Sequence, residues 1–280
     1  MIERTRRLWR LAPVLLLLAL AAAWQLPEMG WLRLAASDSA AAARMTRALD
    51  ELGDEPRILV GFDADFGTYA EIRPTVRALL ADLLARDARL AFVSLTAEGR
   101  ALGTAELARF GREEANPTRL LDLGFITGAE AGLVDITRRI RPPGEADGAF
   151  AREVQAAGID AFGVIVVIGG NDLGPRSWME QVAPRIGEVP FLAVTPTVLL
   201  PEVQPYLLTG GLTAVLGTPR DGAAYREGLE LGNLERFAES TEPRSLPVLI
   251  GMLIAVGVLG QALGARALSY LRQARAREAG

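Results

Sequence analysis

Short apolar runs that alternate with stretches of helical periodicity predict an α/β fold for this chain of 280 residues. The runs are apolar throughout, which indicates strands of a parallel sheet that is covered on both faces. Two long uncharged segments flank this region. We therefore predict an open, mainly parallel, doubly wound (Rossmann-like) sheet of about six strands between two transmembrane helices.

Six apolar runs are predicted strands, and five amphipathic stretches are predicted helices. In chain order the strands are 57–62, 89–95, 120–126, 164–168, 191–194 and 213–216. The helices are 69–86, 97–114, 144–158, 177–186 and 221–237. Together they predict one α/β domain over 57–237, which is long enough to bury a full core.

The uncharged segments 11–27 and 245–265 have the length and the flanking charges of membrane spans. The tails 1–10 and 266–280 each carry four arginines and one glutamate, a net charge of +3. Subtracting this +6 from the total of −4 leaves −10 for the residues between the tails. Because cationic flanks stay on the cytoplasmic side, we predict a plasma-membrane protein with both termini cytoplasmic and the main domain extracytoplasmic.

Each predicted span has an alternative interpretation. A basic start, an apolar run and the small residues Ala21, Ala22 and Ala23 are also typical of a cleaved signal peptide. In the second segment Gly257, Gly260 and Gly264 form a predicted packing face for another membrane helix. Glycine is also simply frequent in membrane helices, so both interpretations of this face stay open.

Two connecting regions join the spans to the domain. Region 28–56 contains a predicted helix over 38–52, capped by Ser37 and ended by Gly53. This helix is interpreted either as a stalk above the membrane or as a helix packed on the domain. Region 238–244 is a predicted linker to the second span.

Three absent residue types exclude much chemistry. The chain has no Cys, no His and no Lys, so all 30 basic residues are Arg. Disulfides, thiolate nucleophiles, imidazole bases, Schiff bases and the P-loop lysine are therefore excluded. The acidic middle region disfavours nucleic acid as a partner, because phosphates require a basic surface.

Polar and glycine-rich loops follow the predicted strands, where ligands bind in open α/β sheets. The candidate ligand-binding residues are Asp63, Asp65, Ser94, Thr127, Gly169, Gly170, Asn171, Asp172 and Thr195. Asp63, Asp65 and Asp172 could hold Mg²⁺ or Ca²⁺ through carboxylate oxygens. The same residue types also serve ordinary strand-to-helix turns, so we predict no catalytic residue and no obligatory cofactor.

The sequence Asp63-Ala64-Asp65 directly after the first predicted strand resembles the first motif of haloacid-dehalogenase-type phosphohydrolases. That resemblance implies a nucleophilic Asp63, an acid/base Asp65 and a neighbouring Mg²⁺. Ser94 or Thr96 then falls near the second motif of that family, and Asp172 near the fourth. Gly67 replaces the threonine of the first motif, and the lysine of the third can only be an arginine.

A second resemblance covers nearly the whole chain. Its residues are the stretches 61–63, 123–133, 205–217 and 223–227, which lie between two hydrophobic segments. In these stretches the chain resembles a group of uncharacterised bacterial membrane-anchored proteins. The resemblance implies one α/β domain between two transmembrane helices and no particular activity.

The sequence favours a non-catalytic, membrane-tethered interaction or scaffold domain, an accessory subunit of a larger membrane complex. The alternatives are a domain that binds a solute or a divalent cation and, less favoured, the phosphohydrolase. The expected partners are the membrane and other membrane-protein subunits.

Overall fold

The fold is described by a computed structural model that covers residues 39–113, 117–144 and 148–229. Both predicted spans, both tails, the linker 238–244 and the residues Gly257, Gly260 and Gly264 lie outside these residues. Within the described ranges no helix combines the length and the apolarity that a membrane crossing needs.

Six parallel strands form one open sheet. They are β1 (Arg57–Asp63), β2 (Arg89–Ser94), β3 (Leu120–Phe125), β4 (Val164–Gly169), β5 (Phe191–Val194) and β6 (Ala214–Leu216). Their order across the sheet is β3-β2-β1-β4-β5-β6, and every pairing is parallel. The predicted α/β class and the strand count are confirmed.

Eight α-helices lie in the described part of the chain. They are α1 (Ala40–Asp50), α2 (Phe66–Ala85), α3 (Ala97–Glu113), α4 (Glu130–Arg139), α5 (Ala149–Ala157), α6 (Pro175–Gln181), α7 (Leu200–Thr209) and α8 (Pro219–Gly228).

The helices cover both faces of the sheet, as a doubly wound fold requires. One core cluster contains alternate strand residues such as Val60 and Val166 together with residues of α1, α2, α3 and α8. The other contains the intervening strand residues, such as Leu59 and Ile165, with residues of α4, α5, α6 and α7. Strands buried on both sides explain why their sequences are continuous apolar runs.

Helices α4 and α7 were not among the predicted elements, and neither has a side-chain cap at its start. Helix α4 begins after Ala129, which has φ +51° and no side-chain cap. Helix α7 contains Pro205 in its interior, where proline removes a backbone donor. Each nevertheless buries an apolar face against the sheet, and this packing outweighs the weak local signal.

Several predicted helix boundaries were wrong, among them the end of α6, which lies at Gln181 and not at 186. Helix α1 is capped by Ser39, whose hydroxyl accepts from the amide of Ala42, and not by Ser37. Helix α5 begins after Gly148, which has φ +91°. Helix α8 begins at Pro219 and ends at Gly228, because Leu229 is extended.

Helix α1 packs on the domain. Met45 and Leu49 are buried in the core cluster that α1 shares with α2 and α8. The Ser39 hydroxyl also donates to Asp221 Oδ1 at 2.6 Å, which joins the start of α1 to the start of α8. The described part of the helix thus corresponds to the packed alternative for region 28–56.

Replacing Met45 with Ala is expected to lower the free energy of unfolding by about 2–5 kcal/mol, because the smaller side chain leaves a cavity in the core where Met45 is fully buried. Urea unfolding of the full-length protein in mild detergent measures the effect. The control is Arg44→Ala on the exposed face of the same helix, with an expected change within about 0.5 kcal/mol. Equal stability of the two variants would mean that α1 does not pack on the domain.

Candidate functional site at the carboxyl edge of the sheet

The candidate site lies where the strand order reverses. After β1 the chain continues to β2 on one side, and after β4 it continues to β5 on the other. Open α/β sheets bind ligands in the crevice at such a point, beyond the carboxyl ends of the strands. Asp63 ends β1 and is paired in register with Gly169, which ends β4.

The Asp63 residue joins the loops that follow three strands. Its Oδ1 accepts from the amides of Leu95 at 2.7 Å and Thr96 at 3.0 Å, and from the Thr96 hydroxyl at 3.3 Å. Its backbone carbonyl accepts from Asn171 Nδ2 at 2.7 Å and from the amide of Gly170 at 3.4 Å. One residue therefore fixes the ends of β1, β2 and β4 relative to one another.

The second carboxyl oxygen of Asp63 has no partner. Asp63 is fully buried, and its Oδ2 meets no hydrogen-bond donor. Burial raises the pKa of Asp63 to about 6, although the hydrogen bonds from Leu95 and Thr96 act in the opposite direction. A buried carboxylate with one unsatisfied oxygen is costly, so the neutral form is favoured at mildly acidic pH.

Asp65 caps helix α2. Its Oδ1 accepts from the amide of Thr68 at 2.8 Å, and its Oδ2 accepts from the Thr68 hydroxyl. Partial burial raises the pKa of Asp65, but the hydrogen bonds from Thr68 and Gly67 outweigh it, so that the pKa lies below its ordinary value. Both carboxyl oxygens are occupied within the turn.

A second carboxylate occupies the same helix start. Glu98 in α3 accepts from the amide of Phe66, the first residue of α2, at 2.9 Å. Nucleotide-binding sheets present these first amides of a helix to phosphate. Here Asp65 and Glu98 hold two of them, so this helix start is neutralised by the chain itself.

Close backbone packing fills the neighbouring space. A Cβ atom on Gly170 would lie 2.1 Å from Thr68 Oγ1 and 2.7 Å from Asp65 Oδ2. A Cβ atom on Gly169 would lie 2.5 Å from the Cα of Gly174. The two glycines therefore allow the loop after β4 to pack against the loop after β1.

Five of the nine predicted site residues come together at this crevice. They are Asp63, Asp65, Gly169, Gly170 and Asn171.

The other four predicted residues lie apart from it or play a backbone role. Ser94 ends β2 in a buried position, and its carbonyl accepts from the amide of Ile126. Thr127 is exposed in the loop after β3, at the outer edge of the sheet. Asp172 is exposed, and Thr195 is buried after β5 with no partner for its hydroxyl.

The three aspartates of the predicted metal site do not form a cluster. Among the described residues no group of three or more acidic side chains is placed to hold a metal ion. Asp63 is buried, Asp65 is used as a helix cap and Asp172 faces solvent.

Sequence reasoning missed two carboxylates that shape this edge. Glu98 holds the start of α2, and Glu71 in α2 accepts from the amide of Thr197 at 3.0 Å and from its hydroxyl at 2.7 Å. Both contacts join residues far apart in sequence. The one local signal was an acidic residue in the first turn of α3, which is ordinary at any helix start.

Comparison with protein-family models, with curated proteins and with solved structures finds no match to this chain. The resemblance to membrane-anchored proteins of bacteria therefore stays a prediction.

The Asp63→Asn variant is expected to lose the pH dependence of stability that Asp63 causes. The folded-state pKa of about 6 exceeds the unfolded value of about 4, so this contribution is complete below about pH 4 and is lost as pH rises through 6. Wild type should lose about 3 kcal/mol relative to the variant between about pH 4 and pH 7.5. Urea unfolding at a series of pH values measures the difference.

Asp65→Asn is the matched control. The pKa of Asp65 is lowered in the folded state, so its contribution is present above the unfolded value and is lost on acidification. Its removal should therefore change the pH dependence with the opposite sign. An Asp63→Asn profile parallel to that of wild type would show that Asp63 titrates at its ordinary pKa.

Proposed function

We propose that the chain is a non-catalytic, membrane-tethered interaction or scaffold domain, an accessory subunit of a larger membrane complex. The observation that carries this proposal is that the polar groups at the point where the strand order reverses form hydrogen bonds within the domain. Asp63 Oδ1, both oxygens of Asp65 and the carboxylate of Glu98 all accept hydrogen bonds from the domain's own loops.

These contacts oppose a catalytic role at this crevice. A phosphohydrolase of the haloacid-dehalogenase type would require an Asp63 oxygen that can reach its substrate and a free Asp65 as acid/base. Asp63 is instead fully buried, and Asp65 is committed to Thr68. The polar groups at this edge support the fold of the domain.

The same edge carries exposed apolar side chains that suit a protein partner. Phe66 begins α2 and is 60% exposed, Phe125 ends β3 and is 46% exposed, and Val198 follows β5 and is 71% exposed. Aromatic and aliphatic side chains of this kind supply much of the binding free energy at protein interfaces. They support a partner subunit with an apolar contact surface.

The membrane tether rests on the uncharged segments and cationic tails of the sequence. With the domain outside the cytoplasm and short tails inside, the proposed contacts involve the domain surface and the glycine face of the second segment.

A second candidate function, the binding of a small solute or a divalent cation, is supported by one observation. Asp63 Oδ2 is a buried acceptor without a donor at the place where α/β sheets bind ligands. A ligand would have to separate the loops after β1 and β4 to reach it.

If the chain is an accessory subunit, purification in mild detergent should recover stoichiometric membrane proteins. Gly260→Leu with Gly264→Leu should reduce that recovery at least about tenfold, because the larger side chains prevent close helix approach. Quantitative mass spectrometry of the purified complex measures the recovery.

Gly251→Leu is the matched control for this experiment. It adds the same side chain to the same segment, on the side of a regular helix opposite Gly260. A second arm replaces Phe66 and Val198 with Ser, which should reduce recovery without lowering the melting temperature. Purification of the wild-type protein alone would count against the proposed function.

If the domain binds a divalent cation, millimolar Mg²⁺ or Ca²⁺ should raise the melting temperature of wild type by several degrees. Asp63→Asn should abolish this rise, whereas Asp122→Asn, at an acidic residue of edge strand β3 that pairs with Arg100, should leave it intact. The same melting curve with and without metal would exclude the cation-binding alternative.

A further inference from the structure

Acidic and apolar side chains alternate along the carboxyl edge of the sheet. The neighbouring strands β2, β1, β4 and β5 are each followed by an exposed residue of this pattern, in that order Glu98, Phe66, Asp172 and Val198. With a strand spacing of about 4.8 Å, the ends of these four strands span about 14 Å. A polypeptide segment in extended conformation crosses this distance with about five residues.

The apolar part of this edge consists of Phe66, Ala70 and Val198, here called the edge patch. Phe66 is 60% exposed, and the exposed Ala70 lies one turn further along α2 on the same side of the helix. Val198 is 71% exposed in the segment that follows β5. The domain itself therefore leaves this patch largely uncovered.

Hydrogen bonds fix the backbone on both sides of the edge patch. Glu98 accepts from the amide of Phe66 at 2.9 Å. Glu71 in α2 accepts from the amide of Thr197, the residue before Val198, at 3.0 Å. The patch is thus held in place before a partner binds, and this lowers the entropic cost of binding.

The acidic part of the edge lacks compensating cations. The five residues that follow each of the six strands include one arginine, Arg220, and five acidic residues, which are Asp65, Glu98, Glu130, Asp172 and Asp221. Among the described residues none of these five carboxylates forms a salt bridge. At the opposite edge, by contrast, Glu55 pairs with Arg89 at 2.6 Å.

This charge selects among the ligands that could cover the edge patch. Phosphate and other anions are repelled by the carboxylates. A symmetric dimer through this edge would bring the carboxylates of two copies together, and such like-charge contacts are unfavourable. Cationic side chains with apolar side chains between them complement both parts of the edge.

We propose that the carboxyl edge binds an extended segment of a partner protein in which arginine or lysine alternates with large apolar side chains. The apolar side chains pack on the edge patch, and the cationic ones lie beside Glu98 and Asp172. This inference rests on the proposed interaction function and adds the chemistry of the partner's contact segment.

The test is the binding of a dye-labelled synthetic peptide of about eight residues, alternating arginine and leucine, to the full-length protein in mild detergent. Fluorescence anisotropy measures the affinity. One control peptide has glutamate in place of arginine, and the other has serine in place of leucine. The arginine–leucine peptide should bind at least about tenfold more tightly than either control, because it alone offers both kinds of contact.

Apolar variants assign the binding to the edge patch. Phe66→Ser with Val198→Ser should weaken binding of the arginine–leucine peptide at least about tenfold, because both side chains supply the apolar contact. The matched control is Leu208→Ser in α7, where the side chain is 81% exposed but lies outside the patch. It should change the affinity by less than about twofold.

Charge variants test the acidic part of the edge. Asp172→Asn with Glu130→Gln should weaken binding about fivefold at low salt and have little effect at about 1 M salt, where the Debye length is about 3 Å. Asp160→Asn with Glu188→Gln, at exposed positions of the opposite edge, is the matched control and should leave the affinity unchanged. Glu98 is kept in all variants because it holds the start of α2.

Equal affinity for the arginine and glutamate peptides, or unchanged binding in the Phe66 and Val198 variant, would overturn the proposal. A dimer in light scattering that this variant abolishes would also overturn it, because a second copy would then occupy the edge. If membrane proteins co-purify but the peptide does not bind, the proposed function stands and this inference fails. If the peptide binds but the protein purifies alone, the binding surface stands and the accessory-subunit role fails.

Discussion

The buried carboxyl group of Asp63 is the contact on which the carboxyl edge depends. It lies at the end of a central strand, and its Oδ1 accepts hydrogen bonds from two backbone amides of the loop after the neighbouring strand. Those amides have left the sheet, and that of the buried Leu95 would otherwise have no acceptor. Asp63 Oδ1 accepts from them and so joins the ends of β1 and β2. Its Oδ2 is left without a hydrogen-bond partner.

The strand order of this sheet is that of many nucleotide-binding domains, but the crevice is used differently. Those domains leave the first helix amides open for phosphate, whereas Asp65 and Glu98 occupy them here. Two carboxylates also make the helix start unfavourable for an anionic ligand. The shared topology therefore gives no argument for a shared activity, and the domain's own contacts favour a structural role for this edge.

The strands could be predicted because each is a short, continuous apolar run, and all six lie within a residue or two of the expected positions. Helices α4 and α7 were not predicted: neither has a side-chain cap, and α7 contains the interior Pro205, but packing in the core stabilises both. Asp63 lies beside Gly169 and Gly170 because the parallel strands β1 and β4 end side by side, and the sequence could predict this proximity. The hydrogen bonds that the amides of Leu95 and Phe66 donate to Asp63 and Glu98 could not be predicted, because each joins residues 32 positions apart and depends on the exact loop path.

The unpaired carboxyl oxygen of Asp63 connects the packing of this edge with its electrostatics, and its titration can be observed directly. Carbon-13 NMR of protein labelled at the aspartate side chains, with the Asp63 signal assigned by its absence in Asp63→Asn, reports the ionisation of this group. A midpoint near pH 6 is the result that burial without a partner predicts. A midpoint near 4, the value of an exposed aspartate, would mean that water or a donor reaches Oδ2 and that the edge is open.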